Sequence, residues 1–327
     1  MLRLHPYRYH RPETLDEALR LLDQHGDDAM PVAGGTDLVP NMKHGLFTPG
    51  QLVSLTRVRE MRGIGVDDGT IRIGAAETLD TVARDPTVGR LIPGLAQAAG
   101  LVSGPQLRRV GTIGGNVMLD TRCTYYNQTR FWREALGYCL KKDGDICHVV
   151  PGGTRCVAAH SADTPPVLMV LDAMLELSGP DGMRQVPVNR FFTSDGVWNR
   201  RCDPRELLVA IRIPTPAAGV KVAFRKLRAR NSIDFPLANV AARVGLDSEQ
   251  RVSELRIVVS AMGSYPRNLG KGEDAAVGNR LTPAVINAVA GQAFRQCRPL
   301  LNITTDPEWR RAMIPVLVRR ALTELAA

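Results

Sequence analysis

Two glycine-rich turns, about eighty residues apart, constrain the fold of this chain more than any other sequence feature. Val32-Ala-Gly-Gly-Thr-Asp37 follows a predicted strand, and Gly111-Thr-Ile-Gly-Gly-Asn116 repeats its pattern. Glycine lets backbone N–H groups approach an anion closely, and the N-terminus of a following helix favours negative charge. The threonine in each turn can donate a further hydrogen bond from its hydroxyl. The two turns together indicate a site for a diphosphate.

Neither turn matches the two most familiar phosphate-binding motifs. The Gly-x-Gly-x-x-Gly spacing of the Rossmann fold is missing from both, and no acidic residue follows a strand at the expected offset. The chain also has no Gly-Lys-Ser/Thr sequence of the nucleotide-triphosphatase type. A diphosphate would therefore be held by a different fold.

The hydropathy pattern predicts a mixture of helices and strands. The segment 11–25 has one apolar stripe, which Thr14 can cap and Gly26 can end. The apolar run 167–177 fits a helix or a strand equally well, and 214–219 is the clearest linker. Further helices are predicted at 79–84, 93–101, 283–295 and 308–325, and strands at 51–55, 69–76, 206–214, 220–227, 238–246 and 252–260.

Composition excludes several classes of protein. With 44% hydrophobic and 23% charged residues, the chain has an ordinary globular composition. No apolar run reaches the ~18 residues of a membrane-spanning helix, and the N-terminus does not resemble a signal peptide, so we expect a cytoplasmic protein without membrane contact. The net charge is +9, concentrated after Val220, which is either a solvated basic face or a surface for an anionic partner. Few aromatic residues and no recognition motif argue against nucleic acid.

Four of the six cysteines lie close together, at Cys123, Cys139, Cys147 and Cys156, with 15, 7 and 8 residues between them. They could form two disulfides, a zinc site or an iron–sulfur cluster. A reducing compartment disfavours disulfides, and the absence of a Cys-x-x-Cys pair disfavours zinc. Four thiolates on long loops can still surround a cluster, which is larger than one ion. The spacing alone favours a cluster only slightly over zinc, with His148 and His160 as less favoured extra ligands.

The segments 33–37 and 109–116 resemble the FAD-binding subunits of the molybdenum hydroxylase (xanthine dehydrogenase) family, and the resemblance extends over essentially the whole chain. It implies an α+β protein with an FAD-binding fold of the vanillyl-alcohol oxidase/PCMH type, followed by a sheet-plus-helices domain like that of carbon monoxide dehydrogenase flavoproteins. The implied units are an FAD-binding βαβ subdomain at 1–56, a second FAD-binding subdomain at 57–217 and a C-terminal α+β domain at 218–327.

The same resemblance implies that the flavin diphosphate lies against both glycine turns. Val102 matches a residue beside the flavin, Asp163 an acidic residue after the second turn, and Lys226 a lysine near the isoalloxazine. Without the resemblance, we would expect Asp163 and Lys226 to form a surface ion pair. The residues implied to bind FAD are Pro31, Val32, Ala33, Gly34, Gly35, Thr36, Asp37, Leu38, Val102, Thr112, Gly114, Gly115, Asn116, Asp163 and Lys226.

The cysteine-rich segment, at about 121–160, resembles an insertion found in the 4-hydroxybenzoyl-CoA reductase branch of this family, which most flavin subunits of the family lack. The resemblance implies a [4Fe-4S] cluster with ligands Cys123, Cys139, Cys147 and Cys156. Cys202 and Cys297 have no counterpart in it.

An electron relay follows from this resemblance. Electrons from ferredoxin would enter at the cluster and pass through FAD and a small subunit with [2Fe-2S] clusters. They would reach a large subunit with the molybdenum cofactor, where 4-hydroxybenzoyl-CoA is reductively dehydroxylated, in a dimer of heterotrimers. No acid–base or nucleophile constellation is evident in this chain, so we assign it no catalytic residue. The alternatives are the FAD subunit of an oxidative hydroxylase like xanthine dehydrogenase and a zinc-stabilised, non-catalytic binding module. A self-contained flavin oxidase would need a substrate domain for which the chain is too short.

Overall fold

The computed structural model describes residues 2–326, which form three β-sheets covered by helices. The first sheet is parallel, with strand order β1-β3-β2. Helix α1 buries Leu15 and Leu22 against it, Thr14 Oγ1 accepts from the Glu17 N–H, and Gly26 ends the helix with a positive φ of 51°. The elements are β1 (Arg8–His10), α1 (Leu15–His25), β2 (Ala29–Val32), α2 (Leu38–Lys43) and β3 (Gln51–Ser54).

The second sheet has five antiparallel strands in the order β4-β5-β8-β6-β7. The ambiguous run 167–177 is neither one helix nor one strand: α9 ends, Asp172 takes a positive φ of 54°, and β6 begins. The elements are β4 (Ile64–Asp67), β5 (Thr70–Gly74), α3 (Leu79–Arg84), α4 (Pro86–Leu91), α5 (Pro93–Gly100), α6 (Pro105–Arg108), α7 (Ile113–Val117), α8 (Arg130–Ala135), α9 (Pro165–Val170), β6 (Met174–Gly179), β7 (Gly182–Pro187), α10 (Val188–Phe191) and β8 (Leu207–Pro214).

The third sheet lies between two hydrophobic cores. Side chains alternate along a strand, so Phe224 packs into the core of the preceding units while Ala223 packs under the two C-terminal helices. The predicted bounds of β9, β10 and β11 are confirmed. The elements are β9 (Val220–Leu227), β10 (Ala238–Leu246), β11 (Val252–Ser260), β12 (Arg267–Asn268), α11 (Pro283–Gln296) and α12 (Pro307–Ala326).

A buried arginine on α12 and the neighbouring Asn302 connect the C-terminal domain to the cysteine-rich segment, with Asn302 making the contacts across. Arg310 is fully buried and donates to the carbonyls of Leu237 and Leu300, each at 3.0 Å. Burial lowers its pKa to about 10, so the guanidinium remains charged near neutral pH. Asn302, near the same guanidinium, donates to Val157 O at 2.6 Å and accepts from the Thr124 N–H at 2.9 Å. These contacts fix the residues that follow Cys123 and Cys156.

Across residues 2–326, no helix combines the length and apolar character needed to cross a membrane.

The buried His160 makes folding sensitive to acid. Its Nδ1 lies 2.9 Å from Ser260 Oγ, and burial, assisted by the charge of Arg200, lowers its pKa to about 3. The unfolded chain therefore binds a proton below about pH 6.5 that the folded chain excludes, so stability falls on acidification. Between pH 6.5 and 5 we expect a loss of about 2 kcal/mol through this residue. Urea titrations of His160→Asn should show a pH loss smaller by that amount, whereas the exposed His5→Asn should behave like the wild type. An undiminished pH loss in His160→Asn would contradict this assignment.

Candidate functional site

A cavity of about 590 Å³ is lined by both glycine turns. This volume lies within the usual range for small-molecule and cofactor sites. The cavity brings together thirteen of the fifteen residues predicted to contact FAD, namely Pro31, Val32, Ala33, Gly34, Gly35, Thr36, Asp37, Leu38, Val102, Thr112, Gly114, Gly115 and Asn116. We refer to it as the flavin cavity.

The two turns touch each other through bare backbone. A Cβ added to Gly34 would lie 2.0 Å from Val110 O and 2.7 Å from Gly111 N. A Cβ on Gly114 would lie 2.6 Å from Ala75 O, and Gly35 has a positive φ of 67°. Side chains are thus excluded at the points where the turns pack, and the backbone amides stay accessible to an anion. This glycine-lined cradle fits the diphosphate of FAD.

The second turn leaves a hydroxyl proton free for a ligand. Thr112 Oγ1 accepts from the Gly115 N–H at 3.0 Å at the start of α7, so its own O–H can donate into the cavity. Asn116 Oδ1 accepts from both the N–H and the hydroxyl of Thr164. These two hydrogen bonds fix the orientation of the Asn116 side chain, which lines the cavity.

The Asp37 side chain forms an ion pair with a distant segment rather than a helix cap. It makes no cap to α2; instead it pairs with Arg122 at 2.8 Å and accepts from Asn41 at 3.0 Å. Burial raises the pKa of Asp37, opposed by the Arg122 charge. The Arg122 guanidinium also lies 4.1 Å from the ring centroid of Phe235, a further lining residue. Arg122 thus connects the first glycine turn to the C-terminal domain.

Asp163 and Lys226 are the two predicted residues that do not line the flavin cavity. They form an ion pair of 2.6 Å that is buried rather than at the surface. Burial raises the pKa of Asp163 and lowers that of Lys226, and each charge opposes the shift of the other. Lys226 also donates to Leu101 O at 3.1 Å, and the next residue, Val102, lines the cavity. The ion pair therefore packs behind the cavity lining at Val102. Its contact with a flavin stays a prediction.

Several lining residues were not predicted from the sequence. Arg200 lies over the ring of Trp198, 4.1 Å from its centroid, and donates to the Met118 carbonyl just after α7. Tyr126 and Lys141 reach the same cavity from the cysteine-rich segment. No local motif marks these residues, because only the fold brings their segments together.

A second, smaller cavity is lined by all four clustered cysteines, and we call it the cysteine chamber. Cys123 and Cys156 are buried, Cys139 and Cys147 are half-buried, and all four are free thiols. Among residues 2–326, no three His, Cys, Asp or Glu side chains converge closely enough to hold a single metal ion. The four cysteines thus line one void without meeting at a single point.

Hydrogen bonds from the backbone hold these cysteines in place. The Cys123 N–H donates to Asn127 Oδ1 at 3.0 Å, and the Ala158 N–H donates to Cys156 Sγ at 3.4 Å. Burial raises the pKa of Cys156 to about 11, against the opposing charge of Lys141. Burial likewise raises the pKa of Cys123, so both thiols are protonated near neutral pH.

The two histidines considered as extra ligands differ in position. His148 lines the cysteine chamber, but its Nε2 lies 2.6 Å from Tyr138 O and its ring packs on Tyr125. His160 does not line the chamber and packs against Phe192. Neither arrangement replaces one of the four thiols.

Comparison with known proteins identifies the family. Residues 5–216 match the family model for the FAD-binding domain in molybdopterin dehydrogenase, and residues 222–325 match that for the C-terminal domain of CO dehydrogenase flavoproteins. The carbon monoxide dehydrogenase medium chain of Hydrogenophaga pseudoflava is 31% identical over 316 residues, covering 97% of this chain and 96% of the relative. A putative xanthine dehydrogenase FAD-binding subunit of Escherichia coli is 28% identical over 321 residues, covering 98% and 96%.

Solved structures agree with these relatives. The carbon monoxide dehydrogenase of Hydrogenophaga pseudoflava, in a form lacking the Mo-pyranopterin moiety, superposes with a TM-score of 0.80 at 30% identity, covering 98% of this chain and 97% of that one. Quinoline 2-oxidoreductase of Pseudomonas putida 86 has a TM-score of 0.81 at 22% identity over 99% and 98% of the two chains, which shows the shared fold.

The predicted fold class is confirmed: an FAD-binding domain is followed by a CO dehydrogenase flavoprotein domain. This combination defines an FAD-carrying subunit of an oxidoreductase. The chain belongs to the molybdenum hydroxylase (CO and xanthine dehydrogenase) family and is an FAD-binding medium subunit of that family.

The contact between the two glycine turns should be essential for FAD binding. In Gly34→Ala, the new methyl group would push the turns apart, and we expect loss of most FAD and of about 1–3 kcal/mol of stability. Gly89→Ala is the matched control, because a Cβ there meets nothing within 4 Å and the helix α4 gains a better helix former. FAD released per chain by heat, quantified by absorbance, and urea unfolding measure the two effects. Full FAD occupancy in Gly34→Ala would contradict the cradle.

Proposed function

We propose that this chain carries a [4Fe-4S] cluster on Cys123, Cys139, Cys147 and Cys156 in addition to FAD, and that it transfers electrons between these two cofactors. The observation that carries the proposal is that four cysteines, from separate loops, line one void, the cysteine chamber. Cysteine thiolates are the usual ligands of such clusters. The cluster would supply one-electron redox chemistry, and the flavin would connect it to two-electron chemistry.

A single zinc ion accounts less well for the cysteine chamber. Zinc binds four ligands at about 2.0–2.3 Å from one point, which requires close convergence of the donor atoms. No such group of ligands exists among residues 2–326, although the same residues line one void. The chain belongs to a family of oxidoreductase subunits, which also disfavours the alternative of a zinc-stabilised, non-catalytic binding module.

The surface of the cysteine-rich segment supports electron entry at this site. Phe131 is 83% exposed, and Leu136 and Ile146 are also exposed. Cys139 and Cys147, on the same segment, are only half-buried. Exposed apolar side chains are typical of docking surfaces, and a half-buried cluster lets an electron carrier approach closely. We propose ferredoxin or a similar carrier as the donor.

The proposal extends to the assembled enzyme. The chain would work with a large subunit that carries the molybdenum cofactor and a small subunit with [2Fe-2S] clusters, in a cytoplasmic dimer of heterotrimers. The large subunit would remove the ring hydroxyl of 4-hydroxybenzoyl-CoA or a related aromatic. What supports this branch is the resemblance of the cysteine-rich segment at 121–160.

A second candidate is an oxidative hydroxylase like xanthine dehydrogenase. It is favoured by the relatives named above, which are subunits of carbon monoxide and xanthine dehydrogenases. The same cofactors would then carry electrons outward, from the molybdenum site to an acceptor.

Metal and cofactor analysis of anaerobically purified protein tests the cluster. We expect about four irons and four sulfides together with one FAD per chain. Cys139→Ala and Cys147→Ala should lose the iron and the paramagnetic signal of the reduced cluster while they keep FAD. Cys297→Ala is the control, because this thiol is buried in the C-terminal core away from the chamber. FAD without iron or sulfide in the wild type, or one zinc per chain, would refute the cluster.

Turnover by the complete enzyme, purified with its partner subunits, distinguishes the two candidates. With a reduced low-potential donor, we expect 4-hydroxybenzoyl-CoA to be converted to benzoyl-CoA and water at the expense of two electrons and two protons. Product analysis by mass spectrometry measures this reaction. Oxidation of a purine or an aldehyde with an added acceptor, without conversion of the thioester, would establish the second candidate instead.

A further inference from the structure

Two side chains line both the flavin cavity and the cysteine chamber: Tyr126 and Lys141. We call this pair the shared wall. At the shared wall, a single layer of side chains separates the cysteine chamber from the flavin cavity. The chemistry of these two residues therefore acts on both sites.

The Lys141 ammonium is held in one position. Its side chain is only 3% exposed. Nζ donates to Asp120 Oδ1 at 2.7 Å, to Thr121 Oγ1 at 2.6 Å and to Gly196 O at 2.6 Å. An ammonium group has three N–H donors, and all three are used here. The positive charge is thus fixed and shielded from water.

Tyr126 completes the wall as a neutral ring. The Lys141 Nζ lies 4.6 Å from its ring centroid, and its hydroxyl donates to Asp120 Oδ2 at 3.1 Å. Burial and the Asp120 carboxylate raise the pKa of Tyr126, so the phenol keeps its proton. One carboxylate thus orients both members of the wall.

The wall is also tied to the backbone of the cysteines. The Tyr126 N–H donates to Cys123 O at 3.0 Å, and the Gly196 N–H donates to Cys156 O at 2.8 Å. Gly196 is the residue whose carbonyl accepts from Lys141, and Lys141 itself follows Cys139 by two residues. Hydrogen bonds and the chain itself thus connect three of the four cysteines to the residues that hold the ammonium in place.

We propose that the fixed Lys141 ammonium is a positioning and electrostatic residue that raises the reduction potential of the cluster, and that Asp120 partly offsets it. This inference rests on the proposed [4Fe-4S] cluster. Reduction adds one electron to a cluster that already bears thiolates, and a buried cation close by stabilises the added charge more than a solvated one would. Screening by water is weak because the lysine is almost fully buried.

Variants of opposite sign test this role in the anaerobically purified FAD-containing protein. Lys141→Gln keeps hydrogen-bond donors but removes the charge. We expect the equilibrium of the cluster to shift about tenfold towards the oxidised form, which corresponds to a reduction potential about 59 mV more negative. Asp120→Asn keeps an acceptor for Lys141 but removes the offsetting charge, so the potential should become more positive. Lys271→Met is the control, because Lys271 is exposed, lies in the C-terminal domain and lines neither the flavin cavity nor the cysteine chamber.

The readout is a redox titration of the cluster followed by its paramagnetic signal, after iron, sulfide and FAD have been measured. Opposite shifts in Lys141→Gln and Asp120→Asn, with the potential of Lys271→Met unchanged, support the inference. If the Lys141→Gln variant does not assemble a cluster, the expected shift of Asp120→Asn to a more positive potential tests the inference by itself. Unshifted potentials in cluster-containing variants would overturn this inference and leave the proposed function intact. A wild-type protein without iron and sulfide would instead remove the proposed function.

Discussion

The flavin cavity depends on one backbone contact, the packing of Gly34 against Val110 and Gly111. These residues come from segments more than seventy positions apart, and neither turn could approach the other with a Cβ at position 34. The close contact aligns the Thr112 hydroxyl and the amides of both turns along one wall of the cavity. A diphosphate can be held there without a cationic side chain, because backbone N–H groups supply the positive potential.

The cysteine-rich segment is held in place by the rest of the protein. Asn302, beside the buried Arg310, fixes the backbone next to Cys123 and Cys156, and Gly196 accepts from Lys141. These contacts come from the C-terminal domain and from the second sheet's unit, so the segment packs as part of the molecule. Four thiols on a free loop would lose much more conformational entropy when they surround a cluster.

The sequence predicted those parts of the molecule in which local chemistry decides the outcome. The bounds of β9, β10 and β11, three apolar segments that follow the linker at 214–219, agree with the predictions. The run 167–177 was ambiguous because all but Asp172 and Met174 are buried, so neither periodicity is evident. The reversal at Asp172 also needs a positive φ, which an aspartate in the sequence seldom indicates. Thirteen flavin-cavity residues were predicted from the family resemblance, whereas the lining residues Arg200 and Lys141 were not, because their role arises from contacts between distant segments.

The burial of the four cysteines gives the proposed cluster two different sides. Cys123 and Cys156 are buried, and their segments carry the contacts to Tyr126 and Gly196. Cys139 and Cys147 are half-buried, in the segment that exposes Phe131. In the proposed function, an electron carrier would meet the half-buried side, and the shared wall of Tyr126 and Lys141 would lie between the cluster and the flavin cavity. The low dielectric of that wall would let the Lys141 ammonium act strongly on the proposed cluster, whereas water would screen a charge placed on the exposed side.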